Sequence, residues 1–244
     1  MKLTIAIGIF LIVFQAAAST LSPTEILNAV DKNRDYGAIS YLGTMEIHVG
    51  TEVRLKTMKT IAVGTQKAIA EFTNPQDKGT KYLKIEKELW IYFPSEQDVV
   101  KISGHMLKEG MMGSDVSYED ALEADALRKK YAATLTAEER VDNHDCYVLT
   151  LDATAKDVPY YKRKMWIDKE LFIPRKEEMF AKSGTLLKTS HVLDVQTFGT
   201  RHFPSKVEMV NMLRKDTKTV FNMTDVVFDP KLDPNIFSMQ NLQR

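Results

Sequence analysis

Cysteine, glycine and long apolar runs are all scarce in this chain of 244 residues. Its one cysteine, Cys146, allows no intramolecular disulfide, so the fold rests on its core rather than on staples. Charge of one sign is lacking too. Lysine and arginine number 33, aspartate and glutamate 33, and the two signs alternate without blocks. That pattern argues against nucleic acid and against electrostatic docking on anionic lipid. Catalytic and metal-binding constellations are also missing. His48, His105, His144, His191 and His202 never fall at metal-ligand spacing, and neither a G-x-S-x-G elbow nor a phosphate-cradling glycine loop occurs. His144-Asp145-Cys146 has the look of a dyad but lies at a turn entering a strand, where structure is the simpler reading. The acidic pairs Glu119/Asp120, Glu138/Glu139 and Glu177/Glu178 sit beside cations and read as surface. No catalytic residue, metal or cofactor is expected, and no enzyme.

What is present begins with a compartment signal. Lys2 precedes an apolar stretch from Leu3 to Phe14, and Ala16-Ala17-Ala18-Ser19 supplies small residues for cleavage. A basic start, a short apolar core and a small-residue site make a secretory signal peptide, expected over residues 1–18. The core falls short of the roughly 20 residues that span a bilayer. No cysteine follows it for lipid attachment. The expectation is a soluble, non-lipidated protein of the bacterial periplasm, with residues 19–244 forming one domain.

Ser22-Pro23-Thr24-Glu25 is a capping box with proline at the first helical position, and Ile26, Leu27 and Val30 follow as one apolar stripe. Beyond Gly43 the period changes to two. Thirteen runs read as strands, from Thr44–Val49 to Thr219–Phe228, separated by polar turns such as 74–77, 86–88 and 94–97. Ser117 opens a second helix, acidic at Glu119, Asp120 and Glu123 and basic at Arg128, Lys129 and Lys130, as the helix dipole favours. Pro174 marks a strand start or an edge. Several strands are apolar on both faces: Tyr147, Leu149 and Leu151 oppose Cys146 and Val148. A curved sheet with a lined concave side would need that, and so would a filled two-layer sandwich.

Methionine is the positive signal, with twelve in the chain and three, Met106, Met111 and Met112, in one glycine-flanked loop. Flexible, polarisable side chains suit surfaces that take varied apolar partners, and a mobile apolar flap over a pocket is the reading.

Several segments, in order, resemble a known family. Leu89-Trp90-Ile91-Tyr92-Phe93-Pro94 with Gln97 and Val99 resembles the L-W-x-Y-x-P hairpin of LolA-like lipoprotein carriers. Gly113-Ser114-Asp115-Val116-Ser117-Tyr118-Glu119-Asp120 is similar to the G-S-D-(F/V)-S-Y-E-D signature of a related subfamily of outer-membrane lipoprotein-sorting proteins. Trp166-Ile167-Asp168, Phe172-Ile173-Pro174 and Leu232-Asp233-Pro234-Asn235-Ile236-Phe237 extend the match across nearly all of the chain after the leader. The resemblance implies a mostly β, α+β fold: an incomplete antiparallel barrel with short helices as a lid over its open concave side. It also implies a task, binding the acyl chains of lipoproteins or another lipid, received from an inner-membrane exporter and passed to an outer-membrane acceptor. Arg54 stands by position alone where the carriers have a functional arginine, and 74–79 replaces their proline-aromatic segment. On this reading Leu83, Ile85, Leu89, Ile91, Phe93, Met165, Ile167, Met209, Phe221 and Met223 line the cavity, and Ile26, Leu27, Val30, Met111 and Met112 form the lid. The rival class is a sensor or adaptor of the same fold that binds the periplasmic segment of a signalling or transporter protein.

Overall fold

The computed structural model describes residues 21–123 and 126–244, so the expected signal peptide, 1–18, lies outside the described residues. Among them no helix is long and apolar enough to cross a membrane.

Thirteen strands form one antiparallel sheet: β1 (Ala38–Val49), β2 (Glu52–Val63), β3 (Lys67–Phe72), β4 (Lys81–Ile85), β5 (Glu88–Phe93), β6 (Asp98–Ile102), β7 (Tyr131–Val141), β8 (His144–Ala153), β9 (Lys162–Asp168), β10 (Pro174–Phe180), β11 (Leu186–Phe198), β12 (Arg201–Asn211) and β13 (Thr217–Phe228). The spatial order is β6-β5-β4-β3-β2-β1-β13-β12-β11-β10-β9-β8-β7. Strands pair with their sequence neighbours throughout, except that β6 and β7 do not meet and β1 joins β13. The turns are built from residues that tolerate positive φ: Asp142 (φ 46°) and Asn143 (φ 68°) make the two-residue loop between β7 and β8. Pro174 starts β10, where its missing N–H costs no ladder bond.

That order puts β6 and β7, consecutive in the chain, at the two edges of an unclosed sheet. The connection between them must cross the opening, and it lies over one face, the inner one. It carries 3-10 turns at Gly104–Lys108, Met111–Gly113 and Leu127–Lys129 and one α-turn, while the helix α1 (Pro23–Arg34) covers the same face farther along. The architecture is an incomplete antiparallel barrel with a helical lid.

Helix α1 starts as the capping box requires. The Glu25 N–H donates to Ser22 Oγ at 3.3 Å, and Ser22 N–H returns the bond to Glu25 Oε2 at 2.8 Å. Ile26, Leu27 and Val30 are buried against Leu149 and Leu151 of β8 and Met165 and Ile167 of β9. Asn33 Nδ2 ties the far end to the Leu171 carbonyl at 2.6 Å. The second helix departs from expectation. Ser117 and Asp120 do form a capping box, but α2 spans only Tyr118–Leu122, and Leu127–Lys129 is a separate turn. Tertiary partners take the groups that would continue it. Lys84 Nζ donates to the Ala121 carbonyl at 2.8 Å, and the Asp31 carboxylate accepts from the N–H groups of Leu127 (2.8 Å) and Arg128 (3.1 Å).

Among the described residues, α3 (Met239–Leu242) packs on the outer face. Its Leu242 is fully buried against Ile69 and Leu83, with Ile85 and Trp90 packed around them. Shortening Leu27 to alanine should cost about 2–5 kcal/mol, because both its contacts and its volume are lost. Chemical denaturation reads this directly, and a loss under about 1 kcal/mol would show that α1 is not part of the core.

Candidate functional site

The inner face has two parts. Over β1–β6 it is mostly apolar, although Lys84 of β4 also faces in: Met45, Ile47, Met58, Phe72, Leu89 and Ile91 form a floor, and the connection lays Met106, Leu107, Met111, Met112, Tyr118 and Leu122 on it. Gly43 makes room for this, since a Cβ there would lie 3.0 Å from Met58 Cγ. Within the lid, Gly110 is required: a Cβ would come 2.0 Å from the Ser114 carbonyl oxygen, so the loop closes only around glycine. Met112 sits at φ 54°, and the Tyr82 hydroxyl donates to its Sδ at 3.0 Å.

Over β9–β13 polar groups among the inner-face residues fasten the lid at three places. Asp115, 1% exposed, accepts from the hydroxyls of Thr217 (2.7 Å) and Thr219 (2.8 Å), while Arg214 Nη1 donates to the Ser114 carbonyl at 3.1 Å. Asp120 accepts from Lys188 Nζ and from the Tyr160 hydroxyl, and Lys188 also donates to Ser117 Oγ at 3.0 Å. Arg163 bridges the lid to the wall, donating to Glu123 at 2.6 Å and to Glu177 at 2.9 Å. Burial works against the Arg163 charge, but Glu177 and Glu123 outweigh it and hold its pKa well above the ordinary arginine value. Burial pushes the Glu177 carboxyl up, against the pull of Arg163. Lys84, which holds the Ala121 carbonyl, is brought down to about 8 by burial and by the nearby Arg34 charge.

A family profile described as "Uncharacterized protein" matches residues 64–244. Three solved structures resemble the whole described chain. A DUF1329 family protein from Desulfovibrio piger is 22% identical with a TM-score of 0.82, covering 91% of this chain and 100% of its own. A putative outer membrane lipoprotein-sorting protein domain from Vibrio parahaemolyticus is 25% identical with a TM-score of 0.79, over 89% of this chain and 98% of its own. A LolA superfamily protein from Nitrosomonas europaea is 23% identical with a TM-score of 0.74, over 91% and 100%. The chain belongs to the matched family, and its fold is LolA-like. No curated protein matches the sequence.

In this LolA-like barrel the residues expected to line a cavity divide. Leu89, Ile91, Phe93 and Phe221 come together with Met111 and Met112 around the apolar floor. Met223, two residues on from Phe221 and opposite Gly43, shares their face. Met165 and Ile167 lie on the same face but under Ile26, Leu27 and Val30, so α1 covers them and the lid methionines do not. Met209 borders a cavity of about 180 Å³ beneath Asp120 and Glu123, with Arg163, Met165 and Glu177. Leu83 and Ile85 are a correction: they face outward, because the two-residue turn pairs Ile85 with Glu88 and Leu83 with Trp90. Arg54 lies at the rim beside Gly113, half exposed and bonded to Glu52 at 2.8 Å.

Two of the acidic pairs are a second correction. Asp120 and Glu177 turn inward onto Lys188 and Arg163 rather than lying on the surface, while Glu138 stays outside, paired with Lys169. Sequence reasoning misses the inner cations, although Arg163 shares strand parity with Met165 and Ile167, a signal that it faces in. Cys146 is buried on the outer side of β8 with Val148 and Trp166. Burial, with Asp168 nearby, pushes its thiol up to about 11, leaving little thiolate at neutral pH. The neighbouring His144 is 3.2 Å from Asp168 and from Arg175.

A cleft of about 560 Å³ lies beside α1 against the charged side chains of Asp31, Lys32 and Arg128. The apolar floor is covered by the lid, and the 180 Å³ cavity beside Arg163 is below the usual size of a ligand site, about 300–1,000 Å³. An acyl chain reaches the apolar floor only if the lid lifts.

Lys84 gives a pH test of this interior. Between about 8 and its ordinary 10.5 the unfolded chain holds a proton that the folded chain lacks, so the wild type gains stability as pH rises through that window. Relative to Lys84→Met, which has no such group, the wild-type melting temperature should climb between pH 8 and 10. Parallel profiles would mean that Lys84 is solvated.

Proposed function

We propose that the protein is an exported, non-enzymatic carrier that takes up acyl chains between its lid and its apolar inner face. The cargo is a lipoprotein or another lipid, moved through the periplasm toward the outer membrane between an inner-membrane exporter and an outer-membrane acceptor. The observation that carries this reading is the nature of the cover. An apolar floor is closed by a methionine-bearing chain segment held at discrete polar points, where a filled sandwich would have a second sheet. The similar Vibrio protein, described as a lipoprotein-sorting domain, agrees with it.

The physical case is an exchange. Each methylene removed from water gains about 0.8 kcal/mol, so acylated cargo needs a shield to cross an aqueous compartment. Met106, Leu107, Met111 and Met112 already occupy the floor, and cargo gains only the difference between its own burial and theirs. A carrier that covers itself in this way holds its load weakly enough to give it up. Leu89, Ile91, Phe93, Phe221 and Met223 would meet the chains, and Met209 would lie where they approach the polar half. Met165 and Ile167, with Ile26, Leu27 and Val30, would anchor the fixed end of the lid.

Native mass spectrometry of the mature protein purified from its own periplasm, followed by organic extraction, tests this. Co-purifying lipid or acylated peptide is expected. A bare mass that also takes up no added lysophospholipid would reject carriage in favour of a module that binds a signalling or transporter protein.

A further inference from the structure

The polar half of the inner face holds more positive charge on its fixed wall than the wall can balance. Arg163 on β9 and Lys188 on β11 flank the ring of Tyr160, at 5.2 Å and 6.0 Å from its centroid, and Lys84 on β4 faces the same interior. Among the described residues bonded to these three, the wall contributes one carboxylate, Glu177. The other two, Asp120 and Glu123, belong to the lid. Lifting the lid would break the Lys188–Asp120 and Arg163–Glu123 pairs and leave both cations facing the opening, where another anion could take the vacated places.

The place is shaped for a small group. The 180 Å³ cavity lies here, between Tyr160, Arg163, Met165 and Met209. From it an apolar track leads to the floor. Met209 pairs with Thr219, the next inward residues Val207 and Phe221 pair with each other, and Phe221 pairs with Met45. A head bound at the cations would have its chains directed along that track.

We propose that the cargo is an amphiphile with an anionic headgroup, which replaces Asp120 and Glu123 on Lys188 and Arg163 while its acyl chains replace the lid methionines on the floor. The lid carboxylates are thus an internal substitute for the ligand's own charge. This rests on the carriage reading and narrows it to a chemical class.

Calorimetric binding of three probes to the full mature chain separates the possibilities: dihexanoyl phosphatidic acid, dihexanoylglycerol with the same chains and no charge, and inorganic phosphate. The phosphatidic acid should bind about tenfold or more tightly than the diglyceride, a difference near 1.4 kcal/mol. Inorganic phosphate should bind far more weakly. Lys188→Met should erase the preference. That variant can fail by misfolding, so the decisive one works in the other direction. Asp120→Asn with Glu123→Gln removes the internal competitor and should tighten the phosphatidic acid several-fold without tightening the diglyceride, which loss of structure would not do. Equal binding of the two lipids, unchanged in that double variant, overturns the headgroup inference and leaves acyl carriage standing. Phosphate as tight as phosphatidic acid would make this a free-anion site and also overturn it. Binding of neither lipid rejects carriage itself.

Discussion

The pairing of β1 with β13 is the constraint on which the rest depends. It joins two meanders back to back, so that β6 and β7, neighbours in sequence, become the far edges of one sheet. A chain that must travel from one edge to the other has to pass over the opening. Its apolar residues find the inner floor, and its polar ones find the wall. The lid is therefore a consequence of topology, not an appended element. Helix α1, which precedes β1, is fixed to the opposite part of the same face and supplies Asp31 to receive the returning chain at Leu127 and Arg128.

Two kinds of force hold that lid, and they differ in how they respond to a ligand. The floor contacts are non-directional, and an acyl chain can replace them at little net cost. The polar contacts are directional and buried. Thr217 and Thr219 would be left without Asp115, and Lys188 without Asp120, if the segment moved off. An unpaired buried charge costs several kcal/mol, whereas the exchange of apolar neighbours is close to neutral. On the proposed function, the polar end would set how often the lid opens, and the apolar end what it opens for.

Much of the fold is legible in the sequence because local rules and burial agree. The capping box at Ser22, the strand alternation, the Pro174 strand start and the order of family-like segments all lead to the observed architecture. The site is legible in part. The stripe Leu89, Ile91, Phe93 faces in as expected, but counting 86–88 as the turn gives Leu83 and Ile85 the same face. A two-residue turn at 86–87 shifts the pairing by one and sends them outward, where the C-terminal Leu242 covers them. That cover comes from the far end of the chain and leaves no local mark on β4. The same reason hides the latch: Asp120, Glu123 and Glu177 look like ordinary surface acids until the sheet brings Arg163 and Lys188 to them. The signature from Gly113 to Asp120 does point to the region, and its polar residues prove to be the fastenings: Ser114 through its carbonyl, Asp115, Ser117 and Asp120.

If the lid opens as a unit over a sheet that stays folded, its amides must exchange by a route cheaper than global unfolding. Hydrogen exchange with peptide resolution over 104–123 and over the central strands β1 and β13 measures this directly. The lid amides should exchange with a free energy several kcal/mol below that of the central strands, and added lipid should change the lid far more than the strands. Lid amides that exchange only with the whole sheet would contradict this, because the apolar floor would then be a closed core with no way in.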